Sequence, residues 1–193
     1  MSAILKVTGL TKHFSGNKHG FFGKADLIQA VDGLNFEITA GEALGLVGES
    51  GCGKSTTGKL ITRLLEPSSG TIEYEGQDIT HLTSKELKPI RRQLQMIFQD
   101  PYGSLNPRRK IGVQIADGLI VAGMPKKLAL LKAADLLEKV GLPRNAVDRF
   151  AHQFSGGQRQ RISIARALAA APTAIPPNPK TPAMTAMIKK TRA

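Results

Sequence analysis

The chain has 193 residues, of which 41% are hydrophobic and 22% are charged, as is ordinary for a globular domain. Its formal net charge is +12, but the basic residues are spread along the chain without interleaved aromatics, so we do not favour nucleic acid as a partner. The single cysteine excludes a disulfide framework and a cysteine metal cluster, and no apolar run is long enough to span a bilayer.

The first elements in chain order are short stretches of alternating hydrophobicity. They predict three strands of a small antiparallel sheet, at Ile4–Val7, Leu34–Ile38 and Thr71–Gly76. The Gly- and Lys-rich residues 13–29 between the first two strands predict a long loop.

Two continuous apolar runs, Ala43–Val47 and Leu94–Phe98, predict buried strands. We expect a helix after the first run, with one apolar face formed by Leu60, Ile61 and Leu64.

The first run leads into a glycine-rich loop within "GLVGESGCGKSTTGKL". Gly48, Gly53, Lys54 and Ser55 match G-x-x-x-x-G-K-[ST], between a predicted strand and a predicted helix. In such a loop, backbone N–H groups and the helix N-terminus bind phosphate oxygens. We expect Lys54 to reach the β- and γ-phosphates, Ser55 to hold Mg²⁺ and the Thr56 N–H to reach the α-phosphate.

The remaining predicted nucleotide-binding positions are Glu49, Ser50, Gly51 and Cys52. Kinases, GTPases and ATPases all share this loop.

From Ile111 onwards the pattern is helical. One predicted helix has Leu130, Ala134 and Leu137 on a single face, and Gly141 stands where it would end. A further helix is predicted within "QRQRISIARALAAA", with its apolar face formed by Ile164, Leu168 and Ala171 and its end at Pro172.

The last helix follows the motif "FSGGQRQR", which begins at Phe154. A serine and two glycines at a helix start can form another anion site, although the same residues also occur in linkers. The positions concerned are Ser155, Gly156, Gly157 and Gln158.

Taken in this order, the motifs resemble those of the ATP-binding cassette (ABC) ATPases, over about residues 3–172. Gly48–Ser55 matches the Walker A loop, and Ser155–Gln158 matches the signature motif, with Phe154 in the usual leucine place. Gln99, in "QMIFQDPYGSLNPR", matches the Q-loop glutamine. The resemblance implies an α/β P-loop cassette with a parallel sheet core, a small antiparallel β subdomain and a helical subdomain at about residues 107–155.

The flanking residues, among them "AVDGLNFEI" and "HQFSGGQRQRISIARALA", look like the ATP-binding subunits of bacterial oligopeptide, dipeptide, nickel and glutathione importers. Such subunits lie on the cytoplasmic face of the membrane, bound to two membrane-spanning permease subunits. An external substrate-binding protein delivers the substrate to the permease. The resemblance implies ATP and Mg²⁺ as cofactors, with Ser55 and Gln99 at the metal. It also implies a second cassette paired head to tail, whose ATP contacts the signature residues in trans. Phe14 stands where the family stacks an aromatic on adenine; a core or loop phenylalanine is the alternative.

The residues after Pro172 depart from the family pattern. The family has a strand ending in Asp-Glu (the Walker B acids) and later a switch histidine, whereas Asn178 and Pro179 stand about where the acids would be. The four histidines all precede the place of the switch histidine: His13, His19, His81 and His152. We interpret residues 1–172 as a partial cassette lacking its C-terminal part, and residues 173–193 as a Pro-rich, disordered tail. A frameshift or a degraded gene would produce this; a sequencing error and a genuine short protein stay open.

Three functions are considered. The first is the ATPase subunit of a peptide-type importer, in a form not expected to hydrolyse ATP. The second is a non-hydrolysing nucleotide-binding module. The third, a cassette protein of DNA repair or translation, would need paired cassettes in one chain or zinc-binding cysteines, and neither is present.

Overall fold

The computed structural model describes residues 3–18, 25–100, 103–170 and 187–189, which divide into two compact units. The first unit comprises Met1–Lys88 together with Pro182–Ala193, and the second comprises Pro89–Thr181. No helix among the described residues has the length and apolar character needed to cross a membrane.

The first unit contains a four-stranded antiparallel sheet in the order β2-β1-β4-β5. The three strands predicted for this sheet are confirmed. Its strands are β1 (Ala3–Lys18), β2 (Ala25–Thr39), β4 (Ser69–Tyr74) and β5 (Gln77–Asp78). On β1, Leu5 and Val7 are buried and Lys6 between them is exposed. Leu10 and Ile72 are fully buried, so one face of the sheet carries the apolar core.

The loop predicted for residues 13–29 is much shorter in the structure. β1 continues to Lys18 and β2 begins at Ala25, with Ser15 opposite Leu27; residues 19–24 lie outside the described part of the chain. The prediction was wrong because ladder hydrogen bonds join backbone groups and therefore do not need an alternating apolar pattern. Leu27 and Ile28 on this extension are exposed.

The nucleotide-type loop lies between β3 (Gly45–Val47) and α1 (Lys54–Ile61). β3 was predicted to be buried, but Val47 is 53% exposed. The expected three-residue face of α1 is also only partly observed: Leu60 is fully buried, whereas Leu64 lies beyond the helix and is exposed. An apolar run becomes buried only where another layer covers it, and the sequence of the run does not show that layer.

A short strand, β6 (Met187–Lys189), pairs with β3 in parallel, with Gly45 opposite Met187. These three residues belong to the tail for which we predicted disorder, and the structure differs from that prediction here. The remainder of residues 171–193 lies outside the described part of the chain.

The second unit is helical, and its core is formed where α3, α4 and α5 pack together. Its helices are α3 (Ile111–Val121), α4 (Lys126–Lys139) and α5 (Gly156–Ala170), with 3-10 turns at Arg144–Asp148 and Ala151–Gln153. The short helix α2 (Leu87–Gln93) spans the boundary between the units.

The helix α4 ends as predicted. Gly141 has a φ of 74° and donates its N–H to Glu138 O, while the Leu142 N–H reaches Leu137 O at 2.9 Å. This pair of hydrogen bonds is a Schellman motif, and the left-handed position favours glycine.

Two further predictions for this unit fail. Leu94–Phe98 is not a strand, and Ile97 and Phe98 are exposed, because no described strand pairs with this run. On α5, Ile164 and Leu168 are only partly buried, and Ala171 lies outside the described residues. The buried face is instead formed by the smaller residues Ala165 and Ala169 with Ile162, since small side chains let helices approach closely.

Candidate functional site

The loop between β3 and α1 is shaped by glycines at positions where a side chain would not fit. Gly53, the N-cap of α1, has a φ of 91°, and a Cβ built there would collide with the carbonyl oxygen of Ala30. A Cβ on Gly48 would lie 2.5 Å from the sulfur of Cys52. The backbone therefore takes its path because these two positions lack a Cβ.

Lys54, the first residue of α1, folds its side chain back over this loop. Its Nζ donates hydrogen bonds to the carbonyl oxygens of Gly48, at 2.8 Å, and Glu49, at 2.6 Å, and lies 3.4 Å from Cys52 Sγ. The ammonium group thus stands above the loop.

The start of α1 is suited to an anion. The first N–H groups of any helix lack intrahelical acceptors, and Gly53 has no side chain that could cap them. The first turn contains no acidic residue, so the positive end of the helix dipole is not neutralised there. Ser55 is exposed and Thr56 is partly exposed, which leaves both accessible to a ligand.

These features fit the triphosphate and Mg²⁺ that the sequence implies. Glycines that hold the backbone close, a cation above the loop and free helix N–H groups together match the needs of phosphate oxygens. The hydroxyl of Ser55 is the kind of oxygen ligand that Mg²⁺ accepts. No group of three or more His, Cys, Asp or Glu side chains within the described residues is arranged to hold a metal ion by itself.

Phe14 lies on β1 opposite Ile28, in the same unit as the loop. Its ring is 39% exposed, and Lys12 Nζ stands 5.3 Å from the ring centroid while donating a hydrogen bond to Glu66 O. A partly exposed ring fits both readings of this residue, an adenine-stacking aromatic and a phenylalanine that packs on the sheet.

The signature residues form the start of α5 in the second unit. The N–H of Ser155 donates to Gln158 Oε1 at 3.0 Å, and the N–H of Gln158 donates weakly to Ser155 Oγ at 3.4 Å, a reciprocal capping box. A Cβ on Gly157 would meet nothing within 4 Å, so this turn is open to a partner.

Phe154, the residue before the signature turn, is buried in the core of the second unit. It is 5% exposed, and the Arg149 guanidinium lies 4.4 Å from the centroid of its ring. An apolar residue at this position therefore serves packing, which explains why phenylalanine can stand in the usual leucine place.

Gln99 is exposed in an irregular segment of the second unit. The next residue, Asp100, accepts a hydrogen bond from the Gly103 N–H at 3.1 Å. Gln99 and the signature residues thus share one unit, while the glycine loop, Ser55 and Phe14 belong to the other.

Sequence reasoning missed two buried polar residues of the second unit, Gln114 on α3 and Ser163 on α5. Both are at most 5% exposed. A polar residue within an otherwise apolar helix face was the one signal that could have indicated them.

The ABC transporter family model matches residues 31–175 of the chain. The dipeptide transport ATP-binding protein DppF of Escherichia coli is 43% identical over 166 residues, covering 86% of this chain and 49% of that protein. The di/tripeptide transport ATP-binding protein DppF of Pseudomonas aeruginosa is 38% identical, covering 98% of this chain and 58% of that protein. The chain therefore spans about half the length of the curated relatives it matches.

Solved structures give the same result for the fold. The dimeric post-hydrolysis ATP-binding cassette MJ0796, bound to ADP and Pi, matches with a TM-score of 0.73 and 30% identity, covering 86% of this chain and 69% of that one. The cassette cbiO1 of Clostridium perfringens, part of the ABC transporter complex cbiONQ, matches with a TM-score of 0.68 and 26% identity, covering 88% and 62% of the two chains.

Proposed function

Because the chain belongs to the ABC transporter ATP-binding family, we propose that it is the nucleotide-binding subunit of an importer for peptides or similar small solutes. The observation that carries the proposal is the Lys54 ammonium, held over a glycine loop at the open N-terminus of α1. The names of the relatives support the substrate class, since several are dipeptide or oligopeptide transport ATP-binding proteins.

In the proposed site, Lys54 neutralises phosphate charge while the loop N–H groups orient the phosphate oxygens. The two carbonyl oxygens that now accept from Lys54 are neutral, so a phosphate oxygen competes with them favourably for a charged donor. The Ser55 hydroxyl, with Gln99, would hold Mg²⁺, which supplies charge neutralisation at the phosphates when it is bound.

The proposal includes a second cassette as the partner of the signature turn. Ser155 and Gly157 stand at an exposed helix start, and such a turn can bind an anion presented by another molecule. Pairing of this kind would place ATP between two copies or between this chain and a related cassette. We further propose that the assembly binds permease subunits at the cytoplasmic face of the membrane, and through them depends on a substrate-binding protein.

A non-hydrolysing nucleotide-binding module is the second candidate. One observation favours it: residues 173–193 contain neither Asp nor Glu, so this stretch offers no carboxylate to polarise an attacking water.

The proposal is tested by equilibrium titration of the chain with MgATP. Lys54→Ala removes the loop's cationic side chain, and a charge-assisted contact of this kind contributes ~1.5–3 kcal/mol, so affinity should fall roughly 10- to 150-fold.

Lys59→Ala is the matched control, because Lys59 lies on the same helix in its last turn and makes no side-chain contact with the loop among those described. Its affinity should equal that of the unaltered chain. Equal affinities for Lys54→Ala and the unaltered chain would refute this site.

A further inference from the structure

The β1–β2 hairpin brings Phe14 close to the glycine loop within the first unit. Phe14 stands opposite Ile28, and two residues further along β2 the carbonyl oxygen of Ala30 lies against Gly53, the N-cap of α1. A strand advances about 3.3 Å per residue, so the positions of Ile28 and Ala30 are about 7 Å apart. A ribose separates the base of a nucleotide from its phosphates by a distance of this order, so one nucleotide can reach both places.

Lys12 covers one face of the Phe14 ring. Its Nζ stands 5.3 Å from the ring centroid, within the range of a cation–π contact. The attraction between the ammonium group and the π-electrons favours one orientation of the ring. Phe14 is nevertheless 39% exposed, so Lys12 does not enclose it. A planar ligand can therefore stack only on the face that Lys12 leaves open.

The backbone around Lys12 fixes the position of this cation. Lys12 Nζ donates a hydrogen bond to Glu66 O at 2.8 Å, in the segment that follows α1. Two further hydrogen bonds hold the same strand to the same segment: the Ser68 N–H donates to Thr11 O at 2.8 Å, and the His13 N–H donates to Ser68 Oγ at 3.0 Å. The lysine side chain therefore spans two anchored elements, and its conformational entropy is already restricted before a ligand binds.

We propose that Lys12 is a positioning residue for the nucleotide base, because it covers one face of the Phe14 ring and leaves the other face for adenine. This inference rests on the proposed function, in which the glycine loop binds the triphosphate. A ring that is oriented before binding need not be ordered by the ligand, so stacking gains affinity without a direct contact between Lys12 and the nucleotide. If Phe14 only packs on the sheet, Lys12 has no effect on nucleotide binding.

Equilibrium titration of the 193-residue chain with MgATP and with magnesium tripolyphosphate tests the inference, because both ligands engage the glycine loop but only MgATP has a base. Lys12→Met keeps the length of the side chain and removes its charge. Its affinity for MgATP should fall about 2- to 5-fold, which corresponds to an exposed cation–π contact. Its affinity for magnesium tripolyphosphate should stay unchanged. Lys12→Arg keeps a cation at the ring and should retain the affinity for MgATP.

Phe14→Leu and a double variant link the effect to the ring. Phe14→Leu removes the stacking surface, so MgATP should bind more weakly while magnesium tripolyphosphate binds as before. Adding Lys12→Met to Phe14→Leu should cause no further loss, because the two residues act through one contact. Lys6→Met is the matched control, since Lys6 lies on the same strand and its Nζ is 3.6 Å from a carboxylate oxygen of Glu37. Both of its affinities should equal those of the unaltered chain.

Each other outcome overturns a defined claim. The role of Lys12 would be overturned by an unchanged MgATP affinity in Lys12→Met, by an equal loss for both ligands, by an equal loss in Lys12→Arg, or by a further loss in the double variant. An unchanged MgATP affinity in Phe14→Leu would overturn it as well, since the ring would then not contact a base. Failure of the proposed function looks different: the unaltered chain would bind neither ligand, or Lys54→Ala would leave the affinity for magnesium tripolyphosphate unchanged, and this inference would fail with it.

Discussion

The thiol sulfur of Cys52 lies 3.4 Å from the ammonium nitrogen of Lys54, within the loop that the proposed nucleotide would occupy. Cys52 is exposed and is the one cysteine of the chain. A ligand that engages Lys54 must therefore change access to this thiol.

We predict that MgATP slows alkylation of Cys52, because phosphate bound at the loop would cover this thiol. The rate of labelling by a thiol reagent, followed by mass spectrometry, measures this directly, since no second cysteine can react. In Lys54→Ala, which should bind nucleotide poorly, the protection should disappear. Equal rates with and without saturating MgATP would count against Cys52 lying at the site.

Gly53→Ala should destabilise the protein more than Gly51→Ala. Both glycines have positive φ, 91° and 84°, so each alanine incurs ~1–2 kcal/mol of backbone strain. A Cβ at Gly51 meets nothing within 4 Å, whereas one at Gly53 collides with the backbone of Ala30, which should add ~1–3 kcal/mol. Urea unfolding of the two variants measures the difference. Equal midpoints would show that the approach of Ala30 is unimportant.

Acid should weaken the sheet through Asp78. The side-chain and backbone hydrogen bonds from Thr80 lower the pKa of the Asp78 carboxyl below its usual 3.8. A lowered pKa in the folded state contributes stability that is present above the unfolded pKa and is lost as pH falls through the folded pKa. The carboxylate is exposed, so the contribution should be below about 1 kcal/mol.

The measurement is the urea midpoint at pH 7 and at about pH 3, compared between the unaltered chain and Asp78→Asn. The variant should lose less stability on acidification than the unaltered chain does. Asp32→Asn, which alters an exposed acid on β2, serves as the control and should behave like the unaltered chain. An identical loss in Asp78→Asn would contradict the assignment.

The 193-residue chain alone should show no ATP turnover above background. Its residues 173–193 supply no carboxylate, and a missing water-positioning group commonly costs ~10²–10⁴ in rate.

Phosphate release assays check this prediction. Replacing the residues after Pro172 with a family-like strand ending in Asp-Glu, together with the remaining sheet and its histidine, should restore turnover. Turnover by the unaltered chain that Lys54→Ala abolishes would show that another group orients the water.

The sequence by itself determined the family, the glycine loop and the helices of the second unit. Each of these depends on residue types at short, fixed spacings, as in Gly53-Lys54-Ser55 or in the left-handed Gly141 that ends α4. Local conformational preference and hydrophobic period act within a few residues, so a local pattern contains the information.

Only the tertiary structure decided which of these segments are paired or buried. The extension of β1 and β2 depends on partners across a hairpin, and the exposure of Ile97 and Phe98 depends on which strands stand beside them. The Ser104–Ser163 contact joins residues 59 positions apart. The physical reason is that ladder pairing and buried hydrogen bonds take their free energy from groups remote in sequence, which no local pattern specifies.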